Sequence, residues 1–281
     1  NSFRASANRN ETVKLADPFY SWNELGVNMT PQIKTIRLSV TGNGFGVGSP
    51  NTLSALLNTG PNPQLADDVS IIKGSHQIGL GVNYIKHLMN FYSDLNAAGT
   101  FTFAGQITGL GMADFLIGQS SAGGGTQAFN QGNRYGYTNR QDYIGMYVQD
   151  TWKMSQRLTL NYGVRWEPFY PVRSKYGQFV HFDQGDFAKG VKSSVYGNAP
   201  AGLSFPGDSQ YTAGNSLSET RWAKFAPRFG LVWDPTGDGR MTVRASYGLF
   251  FDRYHMFGLN FIGQEPPFGN NIVLPSANLT N

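Results

Sequence analysis

Asp234, Asp238 and Gly239 have the spacing with which a calcium loop begins. Such a loop needs oxygen ligands at its first, third, fifth and last positions. Thr236 stands where the second acid belongs and Ala245 where the closing glutamate belongs, so the run reads as a hairpin turn. Gly42-Asn-Gly-Phe-Gly-Val-Gly48 is as glycine-rich as a phosphate loop. It lacks the glycine spacing, the Lys-Ser/Thr ending and the helix that follow in such loops. It reads as a surface loop. None of the histidines, His76, His87, His181 and His255, is spaced as a zinc pair. No Gly-x-Ser-x-Gly nucleophile elbow occurs. Asp67-Asp68 could do acid chemistry, but it reads as the start of a strand near a loop. No catalytic residue, metal site or cofactor is expected, and the chain is not read as an enzyme.

The residues that invite a function are charged groups inside strand-like runs. Arg157, Asn161, Arg165 and Glu167 alternate with Leu158, Leu160, Tyr162, Val164 and Trp166. Arg228, Arg240 and Arg244 alternate with Phe229, Leu231, Met241, Val243 and Ala245. Side chains alternate faces along a strand, so these runs have one apolar face and one polar, arginine-bearing face. A soluble sheet would bury the apolar face under a second layer. A membrane barrel would turn it to lipid and the polar face to a wet lumen. The arginines then have two readings: pairing with Glu167 and other acids, or a positive wall that attracts anionic cargo. The basic residues form no cluster of the kind that binds nucleic acid.

Composition narrows the choice. The 281 residues carry 22 Lys+Arg and 18 Asp+Glu, a formal net charge of +4. Charged residues make up 14%, below the roughly 25% of soluble domains. Aromatics equal them at 14%, which excludes disorder. The absence of cysteine excludes a disulfide scaffold and a thiolate metal site. No apolar run approaches the roughly 18 residues of a membrane helix. A membrane reading therefore requires a β-barrel.

Seven strands are predicted: 2–13, 65–73, 77–92, 135–153, 157–169, 225–234 and 240–253. Turns at Gly74-Ser75-His76, Met154-Ser155-Gln156 and Pro235-Thr-Gly-Asp-Gly239 join them in pairs, with hairpin chemistry. Between the pairs run connections of about forty to fifty residues, too long for an ordinary compact domain. One of them holds a helix candidate, 112–117. Alternating short turns and long loops is the asymmetry of outer-membrane barrels. Trp152 and Trp233 lie beside short turns and Trp166 and Phe251 about ten residues away, as two interfacial aromatic girdles would. Leu160 is expected near mid-membrane. Trp222 has the opposite parity to Trp233 and needs a bulge or a lumen-facing place.

Tyr143-Ile-Gly-Met-Tyr-Val-Gln-Asp-Thr-Trp-Lys153, followed by 157–167, resembles a central hairpin of TonB-dependent outer-membrane receptors. Met112-Ala-Asp-Phe-Leu-Ile-Gly118, Asn198-Ala-Pro-Ala-Gly-Leu203, Phe225-Ala-Pro-Arg-Phe-Gly230 and Asp234-Pro-Thr-Gly-Asp-Gly-Arg240 are similar to the large Oar-like receptors of acidobacterial genomes. The resemblance implies an all-β antiparallel meander, one section of a large transmembrane barrel with long extracellular loops, in the outer membrane of a Gram-negative-type bacterium. Residues 1–281 are expected to form a partial barrel domain, without signal peptide, plug or terminal strand. The implied function is capture and import of a scarce nutrient. The implied partners are outer-membrane lipid, a nutrient ligand and the TonB complex, reached through an N-terminal part. The cargo is open among siderophore, cobalamin, glycan and peptide. Two rivals are kept: a passive porin or structural barrel, and a soluble β-sandwich that binds carbohydrate.

Overall fold

The computed structural model describes residues 1–14, 18–30, 32–42, 44–48, 55–94, 97–253, 256, 258, 259, 262 and 266–279. His255 lies outside them. Seven strands pair in chain order as an antiparallel meander: β1 (Ser2–Lys14), β2 (Ala55–Lys73), β3 (His76–Ser93), β4 (Tyr135–Lys153), β5 (Leu158–Trp166), β6 (Phe225–Trp233) and β7 (Val243–Gly248). The short strand Arg173–Ser174 continues the sheet beside β4. Among the described residues β1 and β7 are not paired with each other, so the sheet is open.

The three short turns fall at one end of the sheet and the long connections at the other. Asp234 closes the third turn by accepting the N–H groups of Gly237 (2.7 Å) and Gly239 (2.9 Å). Both glycines have positive φ, which this tight turn requires. The Gly237 N–H holds the Asp234 carboxyl below the usual range. Backbone donors thus occupy the oxygens that a calcium loop would offer.

The register fixes the two faces. One hydrogen-bonded row runs Val69, Leu80, Val148, Val164, Pro227, and a second runs Ile71, Ile78, Asp150, Tyr162, Phe229, Tyr247. Leu80, Val82, Met146, Val148, Val164 and Phe229 are exposed, and neither hydrophobic core cluster contains any of them. A soluble two-layer protein buries such a face. Here about half a dozen large apolar side chains share an uncovered face, more than a soluble monomer ordinarily exposes in one patch. The row His76, Trp152, Leu160, Leu231, Ala245 is the last pair of the first hairpin, one pair inside the second and two inside the third. This progressive step is the stagger of strands tilted for a barrel.

Some strand limits differ from those expected. β2 starts at Ala55, ten positions earlier, because a register shift between Thr59 and Gln64 absorbs Gly60, Pro61 and Pro63. Asp67-Asp68 therefore lies inside a strand rather than at its start. β7 ends at Gly248 rather than Arg253, and β5 is confined to Leu158–Trp166.

The long connections are folded. Arg37–Val40, Gly46–Val47, Thr100–Phe103, Phe129–Gly132 and Asn271–Leu274 form a second sheet drawn from the β1–β2 and β3–β4 connections and the segment after β7. Trp22, Leu38, Val40, Phe101, Phe103 and Phe129 fill its core, and the helix Gly111–Leu116 packs there through Met112 and Phe115. The β5–β6 connection has its own core of Val172, Phe179 and Tyr211, with Leu259. Buried Asp208 ties that connection, accepting from Ser193 Oγ (2.6 Å), Ser194 N (2.7 Å) and Phe205 N (2.9 Å). Burial opposes its ionisation, but these donors outweigh it and hold the carboxyl well below the usual range.

Candidate functional site

The opposite face of the sheet gathers polar side chains over glycines. Along β4 it carries Tyr143, Gly145, Tyr147, Gln149 and Thr151; along β5, Asn161, Gly163 and Arg165. Arg165 Nε donates to Glu167 Oε1 at 2.6 Å and Arg165 Nη2 donates to Tyr143 Oη at 2.7 Å. Tyr143 Oη also donates to Glu167. Next along the face, Tyr147 Oη donates to Asp68 Oδ1 at 2.8 Å, and Arg4 pairs with Asp68. Thr151 Oγ1 donates to Asn161 at 2.8 Å. Arg4, Gln64, Asn83, Tyr147 and Arg165, from five successive strands, line one depression.

Glycine makes this packing possible. A Cβ at Gly81 would lie 2.3 Å from the Tyr147 ring, and one at Gly145 would lie 2.2 Å from Arg165 Nη2. The long side chains lie flat over positions that have no side chain. Gly163 is less forgiving, since its Cβ would meet Val148 O at 2.6 Å and Gln149 Cβ at 2.7 Å, atoms fixed in β4 that cannot swing aside as a side-chain end can. Gly163→Ala should therefore force β4 and β5 apart and cost about 1–3 kcal/mol. Gly230→Ala, whose nearest neighbour is Asn161 Cβ at 3.6 Å, should be close to neutral. A urea folding titration of the two variants in the full-length protein checks the contrast; equal costs would mean that the glycine floor does not matter.

Of the residues selected from sequence, Asn161, Arg165, Arg228 and Arg244 lie on this face by register, and Glu167 joins it just beyond β5. Arg228 is stacked over Phe250, 4.7 Å from the ring centre. Arg157 and Arg240 sit elsewhere, at the short-turn edge: Arg157 lies against Gly237, and Arg240 approaches Asp238 at 3.6 Å. Trp152, Trp166 and Trp233 share the apolar face. Trp222 belongs with them. It precedes β6, stacks on Trp166 at 6.5 Å, and its carbonyl accepts from Trp166 Nε1 at 2.8 Å. Phe251 does not extend β7; its ring lies 4.5 Å from Lys224 Nζ and lines a depression with Tyr143 and Glu167. Leu160 is opposite Trp152, one pair inside the end of its hairpin, whereas Val164 lies four positions further along β5.

The segment after β7 crosses the polar face. Arg253 bonds His87 of β3 and lies over the Tyr143 ring at 4.9 Å. Sequence reasoning did not single out Arg4, Tyr143, Tyr147 and Arg253, and it read Asp68 as the start of a strand rather than as part of this network. Tyr143 and Tyr147 flank Gly145 at the parity of Arg165's partners, and that spacing was the available signal.

An open, tilted antiparallel sheet with one uncovered apolar face and one hydrogen-bonded polar face has the build of a membrane-barrel wall. In agreement, residues 1–281 match the family described as outer membrane beta barrel domain, and the chain belongs to it. The protein is an outer-membrane protein. It is similar to the TonB-dependent transporter Oar of Myxococcus xanthus, at 26% identity over 259 residues, covering 86% of this chain and 19% of that protein. The chain thus spans about a fifth of the length of this curated relative. No solved structure matches. The family suggests a non-enzymatic role.

Proposed function

We propose that this chain is part of the wall of a TonB-dependent transporter that captures a scarce nutrient and imports it through a gated lumen. The observation that carries the reading is the division of the sheet: an uncovered apolar face, a polar face of Arg165, Glu167, Tyr143 and Tyr147, and long connections at one end only. The polar face lines the lumen, where Arg228 and Arg244 add positive charge. The apolar face meets lipid between two girdles, Trp152 and Trp233 on one side and Trp166 with Trp222 on the other. The folded connections face outward and receive the ligand. The similarity to a TonB-dependent transporter supports dependence on the TonB complex. The remaining strands and an internal plug belong to other parts of a longer protein, in keeping with the 19% coverage of that relative.

The test is conductance of the full-length protein in a planar bilayer, together with binding of the periplasmic part of TonB. A gated transporter should show no steady conductance when intact, open when its plug is deleted, and bind TonB. Steady ohmic conductance of the intact protein, with no TonB binding, would make it a passive porin.

A further inference from the structure

The apolar face carries a small polar cluster that import does not use. Between the short-turn edge and the row Val69–Leu80–Val148–Val164, the acidic and basic residues on that face, among the described residues, are Lys73, His76 and Asp150. They are grouped rather than scattered. Lys73 and His76 are paired across the first short turn. His76 Nδ1 lies 2.6 Å from Asp150 Oδ2. Tyr162 Oη, from β5, donates to the same oxygen at 2.8 Å. The imidazole is stacked on the Trp152 indole, 5.3 Å between centres and 14° between planes. Asp150 is buried, whereas Lys73 and Tyr162 are exposed and 38% of the His76 side chain is open.

A carboxylate, an ammonium group and an imidazole facing hydrocarbon would be costly. Their depth removes the conflict. His76 and Lys73 form the last pair of their hairpin, and Asp150 lies three positions beyond Lys153. Asp150 is thus about 8 Å from the edge for strands rising about 3.3 Å per residue and tilted about 40°, already within the apolar band, and reaches back to His76, whereas the Lys73–His76 pair shares the row of Trp152, at the depth of lipid headgroups and glycerol. Phosphate is the anionic group at that depth. Asp150 and Tyr162 fix the imidazole by its Nδ1, so Nε2 is the nitrogen available to a ligand. Lys73 enters no ion pair among the described residues.

We propose that Lys73 and His76 form a binding site for the phosphate of a phospholipid headgroup, in the leaflet at the short-turn side. In this site imidazolium donates from both nitrogens, Nδ1 to Asp150 and Nε2 to the phosphate. Lys73 supplies the second charge, and Trp152 flanks the headgroup as interfacial indoles do. Asp150 and Tyr162 are positioning residues. The inference rests on the lipid-facing assignment of the apolar face, and the experiment separates the two.

The experiment is native mass spectrometry of the full-length protein carried through graded delipidation from nanodiscs, with phosphatidylethanolamine and diacylglycerol as competing lipids. The wild type should retain the phospholipid in preference to diacylglycerol. His76→Gln and Lys73→Gln should each reduce that preference about tenfold, the loss of one charge-assisted hydrogen bond. Asp150→Asn should reduce it less and Asp150→Glu should restore it. A merely structural Asp150 would shift retention of both lipids alike. Lys73→Gln is at an exposed turn and keeps the fold, so it decides the matter if the other variants misfold. Equal retention of both lipids, or unchanged preference in Lys73→Gln and His76→Gln, would overturn the site. A lipid-borne quencher acting on a fluorophore at Val148→Cys reports the face independently. Quenching with no lipid preference sinks this inference alone, whereas no quenching sinks the lipid-facing assignment as well.

Discussion

Val164→Arg should destabilise the folded barrel by about 2–4 kcal/mol, the cost of a guanidinium at the middle of the lipid-facing band. Val164 is five positions beyond Thr159, which pairs with Lys153 at the turn. At about 3.3 Å per residue and about 40° of tilt that is about 13 Å, half of the roughly 25 Å apolar band. Its row neighbours are Val148 and Pro227, which offer no acceptor to a cation. Leu160→Arg should cost only about 0–1 kcal/mol, because Leu160 lies opposite Trp152, which the proposed function sets at the interface. Asn161→Lys, on the other face beside Thr151 and Gly230, should be cheaper than Val164→Arg. Urea titrations of the full-length protein into lipid vesicles measure all three. Equal penalties at Val164 and Asn161 would mean that both faces are packed, as in a soluble two-layer protein.

The span of the apolar face agrees with this depth. Leu158 to Trp166 is nine residues, about 26 Å along the strand and about 20 Å along the membrane normal at about 40° of tilt. Beyond Trp166 the strands continue, and the outward face becomes polar. Tyr84 Oη donates to Asp142 at 3.0 Å, and Arg173 pairs with the same carboxylate. Long strands that stand clear of the bilayer need such partners once the lipid ends.

Face and turn were legible because both are local. Alternation from Leu158 to Trp166 holds whatever the strand pairs with, and Asp234, Gly237 and Gly239 carry their turn geometry in their own side chains and φ values. The start of β2 was hidden because Gly60, Pro61 and Pro63 have turn chemistry, and only a bulge against β1 and β3 keeps them in the sheet. The polar network was hidden for a different reason. Arg4 and Asp68, or Arg165 and Tyr143, meet only once the register is set and a glycine leaves room. Phe251 was placed in a girdle on the assumption that β7 continues; the strand stops at Gly248 and the chain turns across the polar face instead.

The outer connections were the largest omission, and their core supports the second large effect. Phe103→Ala should remove about 3–5 kcal/mol from the loop-built unit while leaving the membrane strands folded. Phe103 is fully buried, meets Phe115 edge-on at 5.4 Å, and its carbonyl accepts from the Thr41 N–H at 2.9 Å. Its strand pairs in parallel with Arg37–Val40, from a different connection. Four-residue strands paired across such separations have no readable period, which is why this unit reads as loop in the sequence. Among the described residues its core shares no residue with the sheet, and its strands pair only with one another. Local opening should therefore be independent of the barrel. Limited proteolysis of the full-length protein in detergent should show new cleavage within 37–47 and 100–132 in Phe103→Ala, with unchanged heat-modifiability of the barrel on gels. If barrel folding is lost in parallel, the connections are not a separate unit but part of what holds the strands in place.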